Sequence, residues 1–115
     1  MDGEAGPSDH DLLITHTAHP GAYVLTLSGA ADNCATGTLE ADFVYAAAFG
    51  PRLVVDLSAL TFGNGTLLSL LVHARVSHDV ELVGPLAPGF QRRLDTTGTT
   101  GWFTVHPTLA AALDH

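Results

Sequence analysis

The chain has 115 residues, with 12 acidic and 4 basic side chains and a formal net charge of −8. The four bases are all arginines, Arg52, Arg75, Arg92 and Arg93, so a lysine-dependent phosphate loop and Schiff-base chemistry are excluded, and the acidic balance speaks against nucleic acid and anionic membrane surfaces as partners. The length allows one domain with one modest core, the single Cys34 cannot close an internal disulfide, and no run approaches the 18 apolar residues of a membrane span.

Residues 1–10, Met1 to His10, are acidic and polar, with neither a basic leader segment nor an apolar one. They are expected to be a disordered, solvated tail on a reduced, cytoplasmic protein. Leu12-Leu13-Ile14 begins an edge strand that ends at His19-Pro20-Gly21, a turn signal. Ala22 to Ser28 is rich in strand formers, with Tyr23, Leu25 and Leu27 on one face by the period of two. The two segments fit a hairpin.

Asp32 or Asn33 can cap the next helix, in which Ala35, Leu39, Phe43 and Ala46 make the inward stripe, and Gly50-Pro51 stops it. Leu53-Val54-Val55-Asp56-Leu57 is a nearly continuous apolar run, the mark of a strand covered on both faces. A tight turn is expected over Phe62-Gly63-Asn64-Gly65-Thr66, opening a helix from Thr66 to about His78. Leu67, Leu70, Leu71 and Ala74 form its core stripe. Leu68 and Val72 form a second apolar row, which is either an exposed interaction patch or a surface buried against the first helix.

Val80 to Val83 is a strand ended by Gly84-Pro85, and Pro88 to Leu94 a short helix with Phe90 and Leu94 inward. Thr96 to Gly101 reads as a polar loop and Trp102 to Val105 as the last strand. Thr108 caps a final helix with Leu109, Ala112 and Leu113 inward. The order β-β-α-β-α-β-α-β-α predicts an α/β domain with about four helices and a mixed, mostly parallel sheet.

Catalytic and metal-binding patterns are weak. His16 and His19 are three apart in a strand, so they point to opposite faces, and no cysteine or acid completes a metal site. Nothing near Cys34 activates a thiol. Asp79 and Glu81 show no general acid–base pairing. The expectation is a protein without catalysis, cofactor or metal.

Four stretches carry a likeness to a known family. They are Leu27-Ser28-Gly29-Ala30-Ala31-Asp32, with its Gly-x-x-Asp; Leu53 to Phe62, a central strand and its exit; Leu82-Val83-Gly84-Pro85; and His106 to Leu113. In this order and spacing, from about Leu12 to Leu113, the chain resembles a STAS domain. That family includes sulphate-transporter tails and bacterial anti-sigma factor antagonists. The resemblance implies one STAS-like domain over residues 11–115.

It also implies binding to an anti-sigma factor, a serine/threonine kinase of the histidine-kinase-like ATPase fold, with a phosphatase as a further partner. In the family, phosphorylation at the start of the second helix blocks that binding, within an Asp-Ser-(Ser/Thr)-Gly motif. The matching residues are Asn64, Gly65, Thr66 and Leu67, so Thr66 stands in the phosphoacceptor position. Asn64 lacks the family's charge, Gly65 its first hydroxyl, and Leu67 puts a branched side chain where the family has bare backbone. Thr96 and Thr99 replace apolar family positions. The partner-binding set implied by the likeness is Gly29, Asp32, Gly63, Asn64, Gly65, Thr66 and Leu67, extended by Leu68 and Val72 along the helix. The alternatives are an adaptor or subunit of a larger complex that is never phosphorylated, and a small-ligand sensor for which no nucleotide contact is recognisable.

Overall fold

The structure, a computed structural model, describes residues 12–31, 36–49, 52–63 and 65–114. Residues 1–11, Asp32, Asn33, Cys34, Ala35, Gly50, Pro51, Asn64 and His115 lie outside the described residues.

The chain runs β1 (Leu12–His19), β2 (Ala22–Ala31), α1 (Thr36–Ala47), β3 (Arg52–Gly63), α2 (Gly65–Ser77), β4 (Asp79–Val83), α3 (Pro88–Thr97), a 3-10 turn (Thr100–Trp102), β5 (Thr104–His106) and α4 (Leu109–Asp114). The five strands lie side by side in chain order. Only β1 and β2 pair antiparallel, across Pro20-Gly21, and every other pair is parallel. This is the mixed, mostly parallel α/β architecture that the alternation of elements predicts.

The alternation of side chains along each strand divides the core. On one face Tyr23, Leu25 and Leu27 of β2, Leu53, Val55 and Leu57 of β3, and Val80 and Leu82 of β4 pack with α1, α2 and α3. On the other, Ala22, Val24, Val54 and Val83 pack with Ala112 of α4. Covering both faces is why β3 reads as a continuous apolar run. Each fully buried leucine stabilises the fold by roughly 1.5–3 kcal/mol relative to exposure. The first helix buries Leu39, Phe43 and Ala46, as its 3.6-residue stripe predicts. Thr108 caps α4, its Oγ1 accepting a hydrogen bond from the Ala111 N–H at 3.1 Å.

Three boundaries depart from expectation. β3 does not end before Phe62; it continues to Gly63, because β2 is long enough to pair with it to the end, Ala30 beside Phe62 and Ala31 beside Gly63. The expected five-residue turn is correspondingly reduced. α3 continues past Leu94 to Thr97, so Thr96 and Thr97 are helical rather than loop. The Thr97 hydroxyl donates to the Arg93 carbonyl at 2.8 Å, and Gly98 then closes the helix in the left-handed conformation. Trp102 belongs to the 3-10 turn and not to β5. The Arg75 guanidinium donates to its carbonyl at 2.9 Å and holds that turn against α2.

Candidate functional site

The stretch that the resemblance matches to the phosphorylation motif lies where β3 hands over to α2. Gly63 is buried beneath α3: a β-carbon there would stand 2.4 Å from Cδ1 and 2.9 Å from Cε1 of Phe90. Phe90 is itself only 1% exposed. Glycine is therefore required by close approach, and the ring clamps α3 onto the end of β3. One residue into α2 the surroundings open. Gly65 is exposed and Thr66 half-buried. Among the described residues no carboxylate, imidazole or other group is hydrogen-bonded to the Thr66 hydroxyl. Among the described residues no general base stands ready to activate it as a nucleophile.

Gly29 lies on β2 at the same end of the sheet. Its φ is +99°, in the region that side chains disfavour, and it stands between two shifts of register against β3. The Thr61 hydroxyl donates to its carbonyl at 2.9 Å, tying the bulge to the end of β3. Gly29, Gly63, Gly65 and Thr66 thus gather at the C-terminal ends of the parallel strands. Asp32 and Asn64 belong to the sequence on either side of this region and lie outside the described residues.

Three members of the expected surface are corrected. Leu67 is 0% exposed and Leu68 is 7% exposed, both within the main core. Val72 is half-buried against the same core. The second apolar row of α2 is therefore packing surface and not an exposed patch. The packed helix buries a wider arc than a single stripe, because α1 covers one flank while the sheet covers another. The exposed positions of α2 among the described residues are instead Gly65, Ser69, His73, Arg75 and Val76. Since Leu67 points inward, its branched side chain does not stand over the hydroxyl of Thr66.

Two neighbours were invisible to sequence reasoning. Phe62 is 47% exposed immediately before the junction. Arg93, on α3, has Nη1 at 3.8 Å from where a β-carbon of Gly65 would sit. Only the docking of α3 through Phe90 brings residues this far apart in sequence together, and no local pattern announces it.

At the opposite end, polar groups are fully engaged. The Arg52 guanidinium grips Glu81 with two hydrogen bonds, 3.0 and 3.1 Å, and Nη2 also donates to the Ala112 carbonyl of α4. His106 Nε2 meets the other side of the same carboxylate, 2.6 Å from Glu81 Oε1. Pairing with Glu81 raises the Arg52 pKa above its ordinary value, against a smaller opposing effect of burial. Between β1 and α1, His16 lies 2.9 Å from the Tyr23 hydroxyl and 2.6 Å from Asp42. The Tyr23 phenol is pushed up by burial first, then by Tyr45 and Asp42, so it stays protonated. The Asp–His–Tyr chain therefore holds β1 to α1 and supplies no tyrosinate. Among the described residues no three His, Cys, Asp or Glu side chains gather to hold a metal ion, and no helix is long and apolar enough to cross a membrane.

A five-stranded sheet in chain order, opened by a hairpin and carrying a hydroxyl residue at the start of its second helix, is the mixed, mostly parallel α/β fold of the STAS domain. No family model and no curated protein matches it. Among solved structures it is similar to an anti-sigma factor antagonist from Mycobacterium paratuberculosis, with 26% identity and a TM-score of 0.80 over 93% of this chain and 95% of that one. It is also similar to the anti-sigma factor antagonist SpoIIAA in its unphosphorylated form, with 17% identity and a TM-score of 0.71 over 90% and 94% of the two chains. SpoIIAA of Bacillus in its phosphorylated form matches with 18% identity and a TM-score of 0.66 over 90% and 97%.

Proposed function

We propose that the chain is an anti-sigma factor antagonist. It binds an anti-sigma factor through the end of the sheet that carries Gly29, Phe62, Gly65 and Thr66, with Asp32 and Asn64 flanking that surface in sequence, and Thr66 is its phosphoacceptor. The observation that carries this reading is half-buried Thr66 on the first turn of α2, its hydroxyl bonded to nothing among the described residues, in a fold shared with an antagonist at a TM-score of 0.80. The partner is an anti-sigma factor kinase of the histidine-kinase-like ATPase fold. Its basic face complements a chain of net charge −8. In the phosphoryl step the Thr66 oxygen bonds to the γ-phosphorus of the kinase's ATP, the bond from that phosphorus to the β,γ-bridging oxygen breaks, ADP leaves, and the hydroxyl proton passes to a base on the kinase.

The phosphate brings about −1.5 to −2 charges at neutral pH. At the start of a helix, unpaired N–H groups favour it, so the fold stands. In a closely fitted interface the same charge is desolvated and repelled by acids, so the complex breaks. SpoIIAA, whose fold this chain shares, exists in both unphosphorylated and phosphorylated forms. A phosphatase then resets the switch. The departures at Asn64 and Gly65 favour a second reading, an adaptor of the same fold that binds its partner without ever being phosphorylated.

Both readings are tested by binding candidate anti-sigma factor kinases to wild type, Thr66→Ala and Thr66→Glu. Wild type and Thr66→Ala are expected to bind alike, and Thr66→Glu at least about tenfold more weakly, or about 1.4 kcal/mol. Equal binding by Thr66→Glu removes the switch. Absence of phosphothreonine by mass spectrometry after incubation of a binding pair with ATP leaves the adaptor.

A further inference from the structure

We infer that Arg93 is the internal counter-ion of a phosphate on Thr66, so that phosphorylation closes an ionic bridge from α2 to α3. The inference rests on the reading of Thr66 as phosphoacceptor and names the residue that receives the modification.

Placement is the first support. Phe90 anchors α3 on Gly63, and Arg93 follows three residues later, on the same side of that helix. Its Nη1 stands 3.8 Å from the β-carbon position of Gly65, the residue adjoining Thr66. Charge is the second. The chain has 12 acids for 4 bases, yet Arg92 and Arg93 on α3 have no ion pair or hydrogen bond among the described residues, and of the two Arg93 is the one placed beside Gly65. Arg52 is committed to Glu81 and Ala112, and Arg75 to the carbonyl of Trp102. Among the described residues the Arg93 guanidinium has no ion pair or hydrogen bond. Asp95, on the same helix, accepts hydrogen bonds from Gln91 and Thr100 instead. The third is chemical fit. A guanidinium presents a planar fork of donors that matches two phosphate oxygens at once, and such charge-assisted pairs are roughly twice as strong as neutral ones.

The bridge changes what phosphorylation does. The phosphate is held at the junction and not left mobile on the surface, and the unpaired cation of Arg93 is neutralised in the same event. A partner then meets a fixed obstruction where it had met a free hydroxyl and a positive charge.

The test uses full-length protein carrying phosphothreonine placed at position 66 during translation, which needs no kinase. The second ionisation of the phosphate, near about pH 6, is followed by phosphorus NMR in three backgrounds. A guanidinium in contact favours the dianion, so the midpoint is expected to rise by about half a pH unit or more in Arg93→Gln. Arg92→Gln removes the same charge one residue away and is expected to shift it by less than half as much. Amide spectra confirm that both variants, changed at exposed positions, keep the fold. The bridge is overturned if Arg93→Gln titrates with wild type, or if the two variants shift alike, since the latter is diffuse charge and not contact. Binding by the phosphorylated protein to its anti-sigma factor reports separately. Undiminished binding rejects the switch and leaves the titration result standing, whereas a flat titration rejects the bridge and leaves the switch.

Discussion

Arg52 and Arg93 stand at opposite ends of the parallel strands, and the fold treats them oppositely. Arg52, at the start of β3, is locked into a bidentate pair with a carboxylate that is 6% exposed, and it reaches on to α4. Arg93, beside the end of β3, is exposed and unpaired among the described residues. The same contrast holds for hydroxyls. That of Tyr23 is engaged by His16, whereas that of Thr66 is bonded to nothing described. One end of the sheet uses these polar groups to hold elements together, whereas at the other, beside the Thr61–Gly29 hydrogen bond, Thr66 and Arg93 are left available among the described residues. In parallel α/β sheets the C-terminal ends of the strands are where ligands act, and here that end carries the idle groups.

The largest expected break of this contrast is at the engaged end. Glu81→Ala leaves Arg52 and His106 beside an emptied, buried site and frees the attachment of α4. Removing one partner of a buried pair is expensive, and allowing for the partial exposure of Arg52 the loss is expected to be about 2–3 kcal/mol in urea denaturation. A loss under about 0.5 kcal/mol shows that this end is not held by its ions. Next is Gly63→Ala. A β-carbon at 2.4 Å from Phe90 forces the ring aside, at about 1–3 kcal/mol. Shortening the obstacle in Gly63→Ala/Phe90→Leu is expected to cost less than the two single changes summed. Additivity in that double-mutant cycle shows that the two residues do not meet.

Much of this molecule is legible from its residues. The hairpin follows from Pro20-Gly21, the parallel sheet from alternating periods, and the inward stripes of α1 and α3 from spacings of three and four. These are local signals, repeated within each element. What is not legible joins distant segments. Arg52 and Glu81 are separated by 29 residues, and Glu81 and His106 by 25; as a strand residue, Glu81 carries no mark of its partners. Leu68 and Val72 were ambiguous because a helix covered on two flanks and one with an interaction patch have the same apolar arc. Only the position of α1 decides between them. Thr66 is locatable by likeness, but the freedom of its hydroxyl and the nearness of Arg93 depend on how α3 docks.

The smallest expected effect tests the engaged end by pH. The Tyr23 phenol lies above its ordinary value of 10.0 through burial first, then through Tyr45 and Asp42. Folded protein therefore keeps this proton after unfolded protein has released it. By linkage the contribution is fully present below about pH 10 and is lost as pH rises through the folded value. Arg52 does not blur the window. Its pKa is raised above the ordinary arginine value, first by the hydrogen bond to Glu81, so the stability it brings is complete throughout this range. Melting temperature measured from neutral pH to about pH 11 is expected to fall less steeply for Tyr23→Phe than for wild type, even though the variant starts lower for want of the hydroxyl–His16 bond. Parallel curves place the alkaline loss on other groups. Thr66→Ala makes the matched comparison at the other end, where removing a hydroxyl that bonds to nothing described is expected to leave the curve in place at every pH.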